Sequence, residues 1–193
     1  MLDKLVQRRV GRRAVGAAAD LQDVLRGVTL GQLEVVDRPR LHATDAGAGR
    51  EAVFLAMNGF EVEAVDDNPD ILARAEALAA RHGVRIQTRV RDLEWRDPGL
   101  ALERYDLVTV FRFLHRPLFP HIERALAPGG WLVYETFRRG QERFGRPTHP
   151  RFLLNEGELS SAFPSLAVED YAESDPEGGP VTARLLARKP PHL

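Results

Sequence analysis

From residue 40 onward, short apolar segments alternate with amphipathic segments, and this alternation restricts the chain to few folds. Apolar and β-branched residues in alternation or in continuous runs predict strands, and Ala-rich patterns that begin at Pro or end at Gly predict helices. The predicted strands are 40–46, 61–65, 84–90, 105–111 and 131–137, and the predicted helices are 50–58, 69–82 and 117–127. Alternation of this kind predicts an α/β fold with a mostly parallel sheet and helices on both faces.

The remaining segments extend this plan at both ends of the chain. Residues 1–39 are predicted to form an N-terminal helical segment, and residues 156–163 a short helix. Two final strands, 165–172 and 181–188, are joined by a loop rich in Pro, Gly and acidic residues, which favours an antiparallel pair. The polar segment 138–155 is long for a connector, and long loops at strand ends often act as lids over an active site. All 193 residues are predicted to form a single domain.

Composition narrows the function classes. Hydrophobic residues make up 44% and charged residues 28%, as in ordinary soluble globular proteins. The chain has no cysteine, which excludes disulfides, thiolate zinc sites and thiol nucleophiles. Because the sequence shows neither an apolar run long enough for a bilayer nor a signal-peptide pattern, we expect a cytoplasmic protein without a membrane partner. A formal net charge of -1 lacks the basic excess of most nucleic-acid-binding proteins.

A local basic cluster in the N-terminal segment permits two interpretations. The cluster consists of Lys4, Arg8, Arg9, Arg12 and Arg13. It could bind RNA or another polyanion. Alternatively, it is a solvated helix face whose arginines lie over the domain, and the overall charge favours this second interpretation.

The turn after the first predicted strand is the first candidate for ligand binding, since ligands of such sheets bind beyond the carboxyl ends of the strands. Gly47 and Gly49 allow a tight turn and a close backbone approach, and with Ala52 they loosely match a dinucleotide-binding pattern. Asp45 argues against a dinucleotide, because its charge would repel a pyrophosphate. It suits a cationic ligand such as S-adenosylmethionine (SAM), which carries a sulfonium and an amino group. A plain strand–helix turn is the structural alternative.

Acidic residues also end the second and third predicted strands. Asp66 can accept hydrogen bonds from both hydroxyls of a ribose, because a carboxylate is a bidentate acceptor. The alternative role, capping the helix that begins at Pro69, can be filled by Asp67 or Asn68 instead. Asp92 can accept from an adenine amino group, or it is a solvated loop acid.

The successive motifs DAGAGRE, VEAVDDNP, RDLEW, YDLVTVF and ALAPGGWLVYETF resemble, in order and spacing, those of class I SAM-dependent methyltransferases. The resemblance implies a Rossmann-like seven-stranded sheet whose last strand is antiparallel, with SAM as the cofactor and no metal. The implied cofactor residues are Asp45, Gly47 and Gly49 at the methionine end, Asp66 at the ribose, and Asp92 with Leu93 at the adenine; Asp67 and Phe111, at neighbouring strand ends, complete the predicted set. The chain departs from the family at Glu51, where many members have a third glycine, and at Ala48, where many have cysteine.

The loop after the fourth predicted strand is expected to face the methyl acceptor. It lacks the Asn/Asp-Pro-Pro-aromatic run of enzymes that methylate amino groups of adenine or cytosine, and it carries Arg112, His115 and Arg116 instead. The arginines suit an anionic acceptor, and His115 could take a proton from a hydroxyl or thiol near neutral pH. Alternatively, Arg112 pairs with a surface acid and His115 caps the following helix.

These residues together predict an enzyme that transfers a methyl group from SAM to a small acceptor that is anionic or readily deprotonated. The stretches FRFLHRP, LVYETF and ERFGRPTHPRFLLNEGEL resemble a bacterial subgroup near the tellurite-resistance and thiopurine-type small-molecule methyltransferases. One alternative is an RNA methyltransferase that uses the basic N-terminal helix, although nucleic acid is not the expected partner. A second alternative is a non-catalytic module that binds SAM or a nucleotide.

Overall fold

The computed structural model describes residues 40–44 and 49–191, with side chains described from residue 49 onward. The predicted N-terminal segment 1–39, with its basic cluster, lies outside the described residues. So do residues 45–48, which include Asp45 and Gly47. No helix in the described ranges is long and apolar enough to cross a membrane.

The described residues form seven strands of one sheet. These are β1 Arg40–Thr44, β2 Glu61–Asp66, β3 Gln87–Val90, β4 Tyr105–Phe111, β5 Leu126–Phe137, β6 Ala167–Ser174 and β7 Thr182–Arg188. Their order in the sheet is β3-β2-β1-β4-β5-β7-β6. The first five strands pair in parallel, and β7 lies antiparallel between β5 and β6. This is the Rossmann-like α/β architecture that the sequence predicts.

The strand order reverses at β1, which pairs with β2 on one side and with β4 on the other. Ligands of such sheets bind in the crevice outside the carboxyl ends of the strands at this reversal. Two central strands are buried on both faces, as their continuous apolar runs predict: β4 at Leu107 and Val108, and β5 at Leu132 and Val133. The loops that follow β1, β2 and β4 therefore project from a rigid scaffold.

Three α-helices follow the predicted positions closely. They are α1 Arg50–Met57, α2 Pro69–Arg81 and α3 Phe119–Ala125. α2 begins as its sequence predicts: Pro69 occupies the first turn, and the Asn68 side chain accepts a hydrogen bond from the Asp70 N–H at 2.9 Å. A cap of this kind stabilises a helix by about 1 kcal/mol.

The predicted boundaries differ from the structure in several places; β3, for example, begins at Gln87 rather than at residue 84. The predicted helix 117–127 is split into a 3-10 turn at Arg116–Leu118 and α3. β5 begins at Leu126 rather than residue 131, because Pro128 and two glycines cannot continue a helix and Leu126 pairs with Tyr105. The predicted helix 156–163 is only a 3-10 turn at Leu159–Ser161.

Candidate active site

Asp66 ends β2 as a buried carboxylate at the ligand-binding edge of the sheet, with 7% of its surface exposed. Its Oδ1 accepts a hydrogen bond from the Asn68 N–H at 2.8 Å. Asn68 caps α2, so capping does not occupy Asp66, and Asp67 is exposed. A buried carboxylate at this place fits a ligand that offers hydroxyl donors, and its contact with the ribose stays a prediction.

The loop after β3 lies directly beside Asp66, because the Arg91 N–H donates to the Asp66 carbonyl at 2.9 Å. In this loop Leu93 is buried and Asp92 is exposed. The Asp92 Oδ1 accepts from the Glu94 N–H at 2.8 Å, which fixes the turn. The structure thus brings Asp66, Asp92 and Leu93 to adjacent strand ends. This arrangement would suit a nucleoside, whose polar hydroxyls and flat base need polar and apolar partners.

Gly49 starts α1 with a left-handed φ of 74°. A Cβ on this residue would lie 2.4 Å from the Cβ of Ala75 and 2.6 Å from its Cα. Glycine is therefore required here by helix packing and by backbone conformation, whatever ligand binds. Its contact with the cofactor, like those of Asp45 and Gly47 in the undescribed turn, stays a prediction.

Phe111 and Arg112 stand at the carboxyl end of β4. Phe111 is buried, whereas the side chain of Arg112 is exposed. Arg112 has a left-handed φ of 57°, and its N–H donates to the Glu135 carbonyl of β5 at 2.8 Å. A non-glycine residue in this region is strained by about 1–2 kcal/mol, and such strain is concentrated at functional sites. The Arg112 guanidinium forms no ion pair within the described part of the chain, so the predicted alternative of a surface ion pair is not observed there.

An open cleft of about 640 Å³ lies next to these strand ends. Its walls come from the loop after β3, the loop after β4, and residues 146–152. The lining residues are Glu94, Arg112, Phe113, Leu114, Arg146, Pro147, Thr148, His149 and Phe152. Leu93 and Phe111, two predicted cofactor contacts, each immediately precede a lining residue. The cleft therefore adjoins the predicted cofactor region.

The segment 138–155, predicted as a lid, forms one wall of this cleft through residues 146–152. Its two ends are joined, since the Leu154 N–H donates to the Phe137 carbonyl at 3.0 Å. Gln141 is buried and ties the segment to β7: its Oε1 accepts from the Val181 N–H at 2.9 Å. The sequence indicated a segment over the site, but it did not single out Arg146, Thr148 or Pro147 as cleft residues.

Arg116 does not line the cleft, contrary to the expectation that it faces the acceptor. Its guanidinium donates to both carboxylate oxygens of Glu158, at 2.5 and 2.9 Å. It also donates to the carbonyls of Arg151 and Leu153, each at 3.0 Å. The hydrogen bond from Arg116 lowers the pKa of the Glu158 carboxyl, and the same bond raises the pKa of Arg116. Arg116 therefore holds the segment 138–155 against the loop after β4.

His115 is partly buried and does not belong to the cleft wall. It occupies the cap position of the 3-10 turn at Arg116–Leu118, but its side chain makes no capping hydrogen bond, so the alternative capping role is wrong. The structure does not bring His115 and Arg112 to one surface of the cleft, and the catalytic role of both residues stays a prediction. His149, further along the chain, is the histidine that lines the cleft.

Comparison with known proteins shows which family this chain resembles. Residues 45–130 match the model of a family described as a methyltransferase domain. Among curated proteins, hemagglutinin 1 of Eikenella corrodens is 27% identical over 163 residues, which cover 75% of this chain and 52% of that protein. The chain thus spans about half the length of this relative.

Solved structures with the same fold include three from different organisms. TehB from Haemophilus influenzae superposes with a TM-score of 0.66 at 19% identity, over 84% of this chain and 62% of that chain. The N-methyltransferase NodS from Bradyrhizobium japonicum WM9 superposes with a TM-score of 0.65 at 19% identity, over 87% of this chain and 96% of that chain. A SAM-dependent methyltransferase from Methanosarcina mazei superposes with a TM-score of 0.67 at 15% identity, over 84% of this chain and 98% of that chain. At these identities the likeness shows the fold.

The family match begins at Asp45 and includes every predicted cofactor residue. It ends within β5, so it covers the loops that follow the first four strands. The family implies SAM as the cofactor, and the contacts of Asp66 and Leu93 with its nucleoside stay a prediction. Sequence motifs, fold and the family match over residues 45–130 together support the class I SAM-dependent methyltransferase superfamily.

Proposed function

We propose that this enzyme methylates a small acceptor that is anionic or readily deprotonated, and that the acceptor binds in the cleft. The observation that carries the proposal is Arg112, a strained and unpaired cation among the described residues, which lines the cleft directly after the predicted cofactor contact Phe111. An exposed guanidinium at this position attracts an anion, and it would repel a cationic acceptor.

SAM supplies an electrophilic methyl group on a positively charged sulfur. In this chain Asp66 would accept from the ribose hydroxyls, Asp92 and Leu93 would hold the adenine, and the turn that contains Asp45 would bind the methionine end. These contacts fix the position of the donor, and positioning can supply a large part of the rate enhancement.

The cleft residues would orient the acceptor toward that methyl group. When bound, SAM would supply its methyl group to the acceptor, and the electron pair of the sulfur–methyl bond would stay on sulfur. An acceptor proton, if present, must leave; His115 remains the residue proposed to take it, and because it does not line the cleft the transfer would pass through a water molecule. The segment 138–155 would exclude water from the reacting groups.

A small molecule is favoured over nucleic acid as the partner. The chain has a net charge of -1, which gives weak long-range attraction to a polyanion. The cleft volume of about 640 Å³ is typical of sites for small molecules. The arginines of the N-terminal cluster lie outside the described residues and lend no support to the RNA alternative.

The test has two parts. Calorimetric titration is expected to show binding of SAM and S-adenosylhomocysteine and no binding of NAD. Transfer of tritium from labelled SAM is then measured for a small-metabolite fraction, total RNA and a protein lysate, with label expected in the metabolites. Label in RNA that disappears when Arg8, Arg9, Arg12 and Arg13 are neutralised would establish the RNA alternative instead. SAM binding with no transfer to any fraction would favour the non-catalytic module.

A further inference from the structure

The cleft has an excess of cationic groups on its wall. Arg112 and Arg146 both line it, and Glu94 is the acidic residue among the lining residues. Glu94 is engaged by Arg151, whose guanidinium lies 3.3 Å from its Oε2. The carboxylate of Glu94 is therefore paired with Arg151, and the guanidinium groups of Arg112 and Arg146 are available to bind a ligand. Arginine presents a planar fork of donors that matches the two oxygens of a carboxylate.

His149 adds a further donor of defined geometry. Its Nδ1 accepts a hydrogen bond from the Arg151 N–H at 3.2 Å, at the start of the 3-10 turn Pro150–Phe152. An imidazole nitrogen that accepts cannot carry the proton, so the neutral ring is protonated at Nε2. The ring nitrogen left for a ligand is thus a donor, as is the hydroxyl of Thr148. His149 suits an anionic oxygen better than it suits a proton that must be removed.

Besides these polar groups, the wall of the cleft includes apolar side chains. Phe113, Leu114, Pro147 and Phe152 line the same space. Phe152 is held in place by its neighbours: the Arg151 guanidinium lies 4.5 Å from its ring centroid, and the His149 ring lies edge-on at 6.1 Å. Phe113 is fixed through its carbonyl, which accepts from the buried hydroxyl of Tyr134 at 2.9 Å. The Phe152 ring, held by its neighbours, and the Phe113 ring in the same wall favour a flat ligand, because stacking adds to area burial.

We propose that the cleft is a binding subsite for an aromatic acid: a flat ring that carries a carboxylate or a similar anionic oxygen group. Arg112 and Arg146 bind the anionic group, with His149 and Thr148 as further donors, and Phe113 and Phe152 pack against the ring. This inference rests on the proposed function, since it names the chemical class of the acceptor. It concerns recognition and assigns no methylated atom.

The first experiment uses matched probes. Benzoate, benzamide, cyclohexanecarboxylate and phenyl phosphate are titrated by calorimetry into the full-length enzyme that has been saturated with S-adenosylhomocysteine. Benzoate is expected to bind at least ~10-fold more tightly than benzamide, which lacks the charge, and than cyclohexanecarboxylate, which lacks the flat ring. Phenyl phosphate distinguishes a carboxylate site from a general site for anionic oxygens.

The second experiment assigns the binding to the cleft. Arg146→Ala and Arg112→Gly are expected to weaken benzoate binding by ~10-fold or more, and glycine is chosen because residue 112 has a left-handed backbone. Arg143→Ala is the matched control, since Arg143 pairs with Asp175 at 2.6 Å and does not line the cleft. Phe152→Leu is likewise expected to weaken benzoate binding, and Phe144→Leu is its matched control. Phe144 contacts Arg143 and lies outside the cleft wall.

The outcomes separate this inference from the proposed function. Equal binding of benzoate and benzamide, or equal losses in the Arg143 and Arg146 variants, would overturn the aromatic-acid subsite while leaving SAM-dependent methyl transfer intact. Failure of the wild type to bind S-adenosylhomocysteine would overturn the proposed function. Benzoate binding that depends on Arg112 and Arg146 would then still establish the subsite.

Discussion

Gly49 packs so closely on Ala75 that a side chain at residue 49 would lie within 2.4 Å of the alanine Cβ. Real carbon atoms without a bond between them do not approach so closely, so α1 and α2 would have to separate. The contact fixes the start of α1, and thereby the end of the turn that is predicted to bind the methionine part of SAM. Packing between two helices thus sets the position of Gly49, a residue predicted to bind the cofactor.

The first prediction follows from this contact. Gly49→Ala should destabilise the fold by about 1–2 kcal/mol through its left-handed backbone, and by a further 1–3 kcal/mol through overpacking against Ala75. Gly83→Ala is the control, because Gly83 has a similar φ of 70° and nothing within 4 Å of the added Cβ. Urea denaturation measures both variants. Equal losses of stability would mean that the helix contact contributes nothing.

The second prediction concerns Asp66. Asp66→Asn keeps an oxygen for the Asn68 N–H but removes the charge, and it should weaken binding of S-adenosylhomocysteine roughly 10- to 100-fold. Asp97→Asn is the matched control, since the Asp97 Oδ1 accepts from the Gly99 N–H at the same distance of 2.8 Å. Native circular dichroism with unchanged affinity in the Asp66 variant would show that this carboxylate is not at the ribose.

The third prediction separates strain from function at Arg112. Because its φ is 57°, Arg112→Gly should be about 1 kcal/mol more stable than Arg112→Ala, although glycine usually lowers stability. Both variants lack the guanidinium, so methyl transfer to an anionic acceptor should fall in both. Thermal denaturation gives the order of stability. An alanine variant as stable as the glycine variant would show that residue 112 relaxes out of the left-handed region in solution.

The fourth prediction is a pH dependence at Glu158. The hydrogen bond from Arg116 lowers the pKa of this carboxyl below its ordinary value of 4.5. The ionised carboxylate therefore contributes stability that is fully present above pH 4.5 and is lost as the pH falls through the lowered folded-state pKa. Glu158→Gln should thus be less stable than the wild type at neutral pH, and the difference should shrink in acid.

Urea denaturation from neutral pH to about pH 3 measures that difference. Glu156→Gln serves as the control, since Glu156 is exposed in the same loop and makes no contact with Arg116 among the described residues. Trypsin cleavage after Arg143 and Arg151 provides a local readout, because weaker anchoring exposes the segment 138–155. A difference between wild type and Glu158→Gln that does not change with pH would contradict the role of the charge.

Sequence patterns predicted the strands and helices well, because period, Gly and Pro act over a few residues. The start of α2 at Pro69 with Asn68 as its cap is one example. Asp66 at the end of β2 and Asp92 in the loop after β3 could also be found, since parallel strands bring their carboxyl ends to one edge. The start of β5 could not, because Leu126 becomes a strand residue only by pairing with Tyr105 across the sheet.

The residues expected to face the methyl acceptor were predicted less well, because their partners lie far away in the sequence. Arg116 looked like a ligand-binding cation, but its partner Glu158 is 42 residues away and no local pattern indicates the pair. His115 was predicted as the base because it lies in the loop after the fourth strand, and no role was predicted for His149. The position of His149 in the cleft depends on how the segment 138–155 folds back, which is decided by tertiary contacts such as that of Gln141 with Val181.

Arg116 holds the segment partly through the backbone carbonyls of Arg151 and Leu153. Every amino acid has such a carbonyl, so these two bonds do not depend on which side chains the segment carries. Residues 146, 148 and 152 could therefore change in the course of evolution without detaching the segment from the scaffold. Descendants of one ancestral enzyme could in this way exchange one acceptor for another while the sheet and its cofactor loops stay the same.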